Sequence, residues 1–242
     1  MTGLSLVSVN IERSKHLDTV APFLRRQKPD VVCVQELMQY DIPFFEKEFG
    51  ACAVYVANTI HPAEGKSGPV GIGIFTSLPV LSHAVEYYWG SPEALMEYDP
   101  SSTKRKHDTE THTVVYADIS KDGSTFRIAT THFTWTADGQ PDDLQREDLV
   151  RMLSVLEKMG EFVLCGDFNA PRGEEIWDTI ASRYKDNLPA KYTTSIDPMH
   201  RAAPLPYVVD GMFTTPGYGA TDVELHEGVS DHMAVSATIA KL

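Results

Sequence analysis

Residues 163–171 read VLCGDFNAP: an apolar run broken at Gly166 that delivers Asp167 and Asn169 around a bulky Phe168 and meets Pro171 two residues later. A strand alternates its side chains between two faces. Continued to Asn169, this strand places Asp167 and Asn169 together on one face and Phe168 on the other. A carboxylate and an amide then converge on one spot, behind which an aromatic ring fixes the strand. Pro171 ends it.

Outward from this stretch, segments rich in Val, Ile, Phe and Tyr recur at 4–9, 31–35, 51–57, 70–75, 113–119, 126–133, 161–168, 207–213 and 233–240, and each reads as a strand. Helical patterns lie at 17–27, about 41–49 with Asp41 as N-cap, about 142–159 and about 174–183. The third carries Leu144, Leu149, Met152, Leu153 and Leu156 on one stripe, with acids in its first turn. Strands outnumber helices about two to one, too many for a doubly wound parallel sheet in which every strand is followed by a helix. Two packed sheets with helices outside satisfy the count. Segment 83–112 reads as a long surface excursion whose basic run Lys104-Arg105-Lys106-His107 either grips a second phosphate or is simply solvated, and 187–206, with four prolines, reads as a second loop. No composition shift divides the chain, so residues 1–242 are expected to form one domain.

At 242 residues the chain is long enough for one large core without staples. No stretch approaches the roughly 18 apolar residues of a membrane span. Nothing basic precedes the first apolar segment, so a cytoplasmic protein without a secretory signal is expected. Cys33, Cys52 and Cys165 are odd in number and widely spaced, and read as reduced core residues. The net charge of −13 repels polyanions at long range, so a phosphate-bearing ligand must be attracted locally.

Polar residues cluster where the strands end: Asn10, Gln35-Glu36, Thr131-His132, Asp167 with Asn169, Asp210, and Ser230-Asp231-His232. Any single one reads as a turn or cap residue. Together they make a chemical set. Glu36 and Asp231 offer hard oxygens for magnesium or manganese, and Asn10 a neutral one. Asp167 can polarise a water, His132 and His232 can meet phosphate oxygens, and Asp210 can orient His232. Trp135, three residues past His132, is a candidate to stack on a base or leaving group, with packing at a strand end as the plain alternative.

This ordered set resembles the endonuclease/exonuclease/phosphatase superfamily over essentially the whole chain. The resemblance implies a four-layer α/β sandwich, two packed mixed β-sheets flanked by helices, with the site at one end of the facing sheets. It implies that Glu36 and Asp231 hold Mg2+, with Mn2+ as the alternative, and that Asn10 lies near the metal or phosphate. Asp167 would activate water, Asn169 donate to a phosphoryl oxygen, His232 oriented by Asp210 stabilise the transition state, and His132 lie near the phosphate or leaving group. The implied reaction is in-line hydrolysis of a phosphoester, on DNA or RNA in the first instance, with no obligate protein partner. A sugar, inositol or lipid head-group phosphate is the alternative substrate, and an inactive binding module on the same fold the third reading. The chain departs from the family pattern in having no arginine near Thr111–Val115 and in following Asp210 with Gly211-Met212-Phe213.

Overall fold

The computed structural model describes residues 3–63, 66–93 and 95–242. In chain order these form β1 (Leu4–Asn10), α1 (Leu17–Gln27), β2 (Val31–Met38), α2 (Ile42–Phe49), β3 (Ala51–Ala63), β4 (Lys66–Thr76), β5 (Val80–Trp89), α3 (Thr103–Asp108), β6 (His112–Lys121) and β7 (Ser124–His132). They continue with α4 (Asp143–Leu156), β8 (Val163–Asp167), α5 (Glu175–Ala181), β9 (Lys185–Asp186), β10 (Asp210–Thr214), β11 (Tyr218–His226) and β12 (Ala234–Lys241). Two mixed sheets result, ordered β11-β12-β1-β2-β4-β3 and β5-β6-β7-β8-β10-β9. Each has one parallel pair among its antiparallel ones, β1 with β2 and β7 with β8. A parallel return needs a crossover, which α1 and α4 supply. Among the described residues no helix is long and apolar enough to cross a membrane.

The alternation along these parallel strands determines where the site forms. In β1, Leu4 and Leu6 enter the core between the sheets, while Val7 and Val9 face α1 and α2 with Val20, Phe23, Leu24 and Phe45. Ser8 and Asn10 therefore continue the inner face as polar residues. In β2, Val31 and Cys33 point inward and Gln35 follows, its Nε2 donating 2.8 Å across to Thr130 Oγ1 of β7. Cys165 of β8 meets Cys33 between the sheets, which places Asp167 two residues further along that same face. The inner surface is thus apolar through most of the sandwich and turns polar at the C-terminal end of both parallel pairs.

The expected architecture is present, an α/β sandwich of two mixed sheets flanked by helices, and several local expectations are corrected. The excursion at 83–112 contains the second half of β5 and all of α3, and two of its histidines are core residues: His107 is 3% and His112 5% exposed. β5 was hidden because its outer half is exposed, and β11 because its acidic residues interrupt the alternation. Asp41 stands at the N-cap position of α2 as expected, but its side chain makes no capping hydrogen bond; its Oδ2 accepts from Ser14 Oγ at 2.7 Å. Asp142 does cap α4, accepting from the Gln145 amide at 2.8 Å. β8 ends at Asp167, and Asn169 lies beyond it with φ +49. Phe168 nevertheless packs away from the sheet interface as expected, against Trp177 and Phe213 at 5.6 and 5.0 Å.

His112 links this packing to pH. Burial, reinforced by His107 and His132 against the pull of Asp148, pushes its imidazole down to about 3. The unfolded chain binds this proton from about pH 6.5 downward, whereas the folded chain refuses it. Its contribution is therefore complete above pH 6.5 and is lost as pH falls towards 3. At pH 5 the loss is about 2 kcal/mol relative to neutrality. Urea unfolding at pH 7.5 and pH 5 is expected to show this difference, and His112→Gln to lack that part of it.

Candidate active site

Three side chains from the ends of β1, β2 and β8 form the floor. Asn10 Nδ2 donates to Asp167 Oδ2 at 3.1 Å and to Glu36 Oε1 at 3.4 Å, joining the two sheets. Regular alternation would send Glu36 away from Gln35, onto the helix-covered face. A bulge between Val34 and Leu37, with Glu36 at φ +54, allows both to serve the inner end. Burial would raise the Glu36 carboxyl, but the Arg13 guanidinium 2.6 Å away, with His132 and His232, holds it down at about 2. Asp167 is 1% exposed, and its Oδ1 accepts the Asn169 backbone N–H at 2.8 Å.

Asp210 opens β10 directly opposite Asp167. Its Oδ2 lies 2.8 Å from His232 Nδ1 and accepts from Ser195 Oγ at 2.7 Å. Ser195 Oγ in turn accepts the backbone N–H groups of Val209 and Asp210, at 2.9 and 3.0 Å. The carboxylate is thereby fixed from behind. Burial opposes charge on His232, yet Asp210 and Asp167 keep its imidazolium stable well above the usual histidine range. His232 Nδ1 and His132 Nε2 lie 3.7 and 3.5 Å from Asp167 Oδ2, so two imidazoles approach the same carboxylate oxygen.

Asp231 differs from the other acids. It receives Ser230 Oγ at 3.2 Å and, among the described residues, no lysine or arginine ion pair. Burial, reinforced by Glu36 and Glu12 against His232, pushes its carboxyl up to about 6. Such a carboxylate is short of positive charge. Its ligand atom lies within 4.8 Å of those of Glu12 and His16, and in a second grouping of those of His200 and His232. Asp167, Asp210 and His232 form a third group. This oxygen-rich donor set fits a hard divalent cation. Glu36 is in none of these groups and pairs with Arg13, and Asn10 Oδ1 already accepts the Glu12 backbone N–H at 3.0 Å.

The remaining expected residues sit around this floor. Asn169 spends one amide N–H on the Phe133 carbonyl at 2.8 Å. Trp135 is 36% exposed, with the Lys106 ammonium 3.8 Å above its ring centroid. Loop 187–206 closes over Asp231 and His232: the Asp197 amide donates to Asp231 O at 3.0 Å, and Met233 N to Ser195 O at 2.8 Å. Sequence reasoning missed Arg13, Glu12, His16 and Ser195, and named Lys106 only as one member of the basic run 104–107. Arg13 and Glu12 carried one readable signal, their position directly after the first polar strand end.

Fold and ligand groups together support a hydrolase of the metal-dependent phosphoesterase type. The family model for the Endonuclease/Exonuclease/phosphatase family matches residues 7–232, and the chain belongs to that family. Similar solved structures include an endonuclease/exonuclease/phosphatase from Bacteroides vulgatus, with TM-score 0.70, 16% identity and full coverage of both chains. TDP2 of D. rerio complexed with single-strand DNA product gives 0.66 at 15% identity, covering 100% of both chains. A mannosyl-6-phosphatase from Bacteroides thetaiotaomicron gives 0.68 at 12% identity, covering 98% of this chain and 99% of the other. No curated protein matches.

The close approach of β7 and β8 that sets His132 beside Asp167 depends on Gly166. Its φ is +144, and a Cβ there would lie 2.0 Å from the Thr131 carbonyl oxygen. Gly166→Ala is expected to cost roughly 3 kcal/mol or more in chemical denaturation. A variant as stable as the native chain would refute this packing account.

Proposed function

We propose that this protein is a divalent-cation-dependent phosphodiesterase that cleaves by in-line attack of water, with nucleic acid as the first substrate class. The observation that carries this reading is the convergence of Asp167, Asp210 and His232 beside an under-neutralised Asp231. Asp231 with Glu12 would hold Mg2+ or Mn2+, and Glu36 would join them by exchanging Arg13 for the ion. The bound ion would supply Lewis-acid polarisation of the phosphoryl oxygens and offset the gathered acids.

The chain's own groups divide the remaining work. Asp167, oriented by Asn10 and by the Asn169 backbone N–H, accepts the proton of the attacking water. The His232 imidazolium, held by Asp210, donates to a phosphoryl oxygen as charge builds on the five-coordinate phosphorus. The second amide N–H of Asn169 donates to another such oxygen. His132, which approaches the same oxygen of Asp167, serves the phosphate or the leaving group. Trp135 offers an indole face to a base or leaving group.

A second reading, hydrolysis of a small phosphoester, is favoured by the net charge of −13, which disfavours an extended polyanion. The two readings predict different salt responses, since only a polyanion loses affinity steeply with added salt. Turnover on an abasic-site duplex, single-stranded DNA and soluble phosphomonoesters, each measured at two ionic strengths, decides between them.

Asp167→Asn is expected to reduce kcat/KM about 10³-fold on whichever phosphoester is turned over, with an unchanged thermal melt. Full activity in that variant would remove the proton-accepting role. Chelation is expected to abolish turnover, and Mg2+ or Mn2+ to restore it. Turnover indifferent to chelation would refute the cation assignment.

A further inference from the structure

The basic run at 104–107 is not a uniformly solvated stretch. Lys104 Nζ bonds both oxygens of Asp108, at 3.0 and 2.8 Å, and Arg105 Nε donates to Asp99 Oδ2 at 2.9 Å. His107 is buried, with Nε2 2.7 Å from Asp148 Oδ2. Lys106 differs from all three: among the described residues its ammonium has no carboxylate within 4.0 Å. It rests 3.8 Å above the Trp135 ring centroid and 5.8 Å from that of Tyr98.

Its placement is fixed by the rest of α3. Ser102 caps the helix, accepting from the Arg105 amide at 3.2 Å. Trp89 Nε1 donates to the His107 carbonyl at 3.1 Å, and the His107–Asp148 bond ties the same turn to α4. Burial lowers the Lys106 pKa; Glu110, Glu36 and Asp167 act on it in the opposite sense, and Arg201 with burial. The lysine is thus within electrostatic reach of two floor carboxylates and of a cation from loop 187–206, yet bonded to none of them. A partly dehydrated ammonium with three free donors is costly to leave unpaired. Held on an aromatic face beside acids it does not touch, it is arranged to receive an anion.

We propose that Lys106 is a substrate-binding residue: its ammonium, held on the Trp135 indole, binds the oxygens of a phosphate group at the mouth of the site. The inference rests on the phosphoesterase reading for its place in turnover, but phosphate binding can be measured without turnover. It also assigns Trp135 a double part, as the platform of the lysine and as one wall of the substrate site.

The test compares Lys106→Gln, Lys106→Arg, Trp135→Leu and, as a control on the same helix, Lys104→Gln. Steady-state kinetics give kcat and KM separately for whichever phosphoester the native protein turns over. Titration calorimetry with inorganic phosphate in Mg2+ gives binding alone. Lys106→Gln is expected to raise KM and weaken phosphate binding roughly tenfold or more, with an unchanged thermal melt. Lys106→Arg should keep most of the affinity, Trp135→Leu lose a smaller part, and Lys104→Gln match the native protein. Phosphate binding that depends on Lys106 in a protein without phosphoester turnover would support the anchor and refute the phosphoesterase reading. An active native protein whose Lys106→Gln variant behaves like Lys104→Gln in both measurements would overturn the anchor and leave that reading standing. A native protein that binds no phosphate would overturn the anchor as well.

Discussion

The hydrogen bond from Asn10 Nδ2 to Asp167 Oδ2 spans 157 residues of sequence and joins one sheet of the sandwich to the other. Everything at the site depends on the two sheets ending together, because Asn10 and Glu36 come from one and His132, Asp167 and Asp210 from the other. The parallel pairs enforce this. Asn10 stands in register with Gln35, and His132 with Asp167, so each crossover delivers two chain ends to one edge of its sheet. The core between the sheets sets their separation, and Gln35 to Thr130 is the last bridge before the polar end. A shift of one residue in either register would turn the polar row outward and seal the opening with apolar side chains.

Gathering several carboxylates in a partly buried space is unfavourable unless each is compensated. Glu36 has Arg13, Asp210 has His232 and Ser195, and Asp167 has Asn10, a backbone N–H and two imidazoles. Asp231, with no such cationic side chain bonded to it among the described residues, has a carboxyl pushed up to about 6 by its burial. The imbalance falls beside Glu12 and His16, whose ligand atoms lie close enough to share an ion with it. The same groups that would repel one another on their own are those a divalent cation would bring into balance.

What the sequence revealed follows a physical rule. Asn10, His132 and Asp167 were legible because each lies at the end of a strand whose hydrophobic pattern is unambiguous, so strand geometry alone sent them to one place, whereas Glu36 was legible only as a polar residue at a strand end. Asp210 and His232 were readable for the same reason, through β10 and the approach to β12. Ser195 was not, since it acts through the path of an irregular segment and no periodicity encodes that path, and Lys106 was legible only as one member of a basic run. β5 and β11 escaped because half-exposed strands with charged outer faces lack clean alternation. The bulge at Glu36 was illegible too: a left-handed glutamate leaves no trace in composition, although it reverses where that side chain points.

The burial of His107 and His112 shows why the excursion around α3 matters to the site. A loop held only by water could place a lysine anywhere over several ångströms. Here His107, Thr134 and Arg151 all converge on Asp148, a fully buried carboxylate of α4 bonded at 2.7, 2.6 and 3.1 Å. Gln145, one turn earlier on α4, donates to the Thr134 carbonyl at 2.7 Å and the Asn169 carbonyl at 3.2 Å. One face of a single helix therefore positions α3, the strand exit that carries Trp135, and the turn after Asp167. The helix stripe that reads in sequence as plain core packing has two polar members, Gln145 and Asp148, and they connect α3 and the Trp135 loop to the end of β8 that carries Asp167.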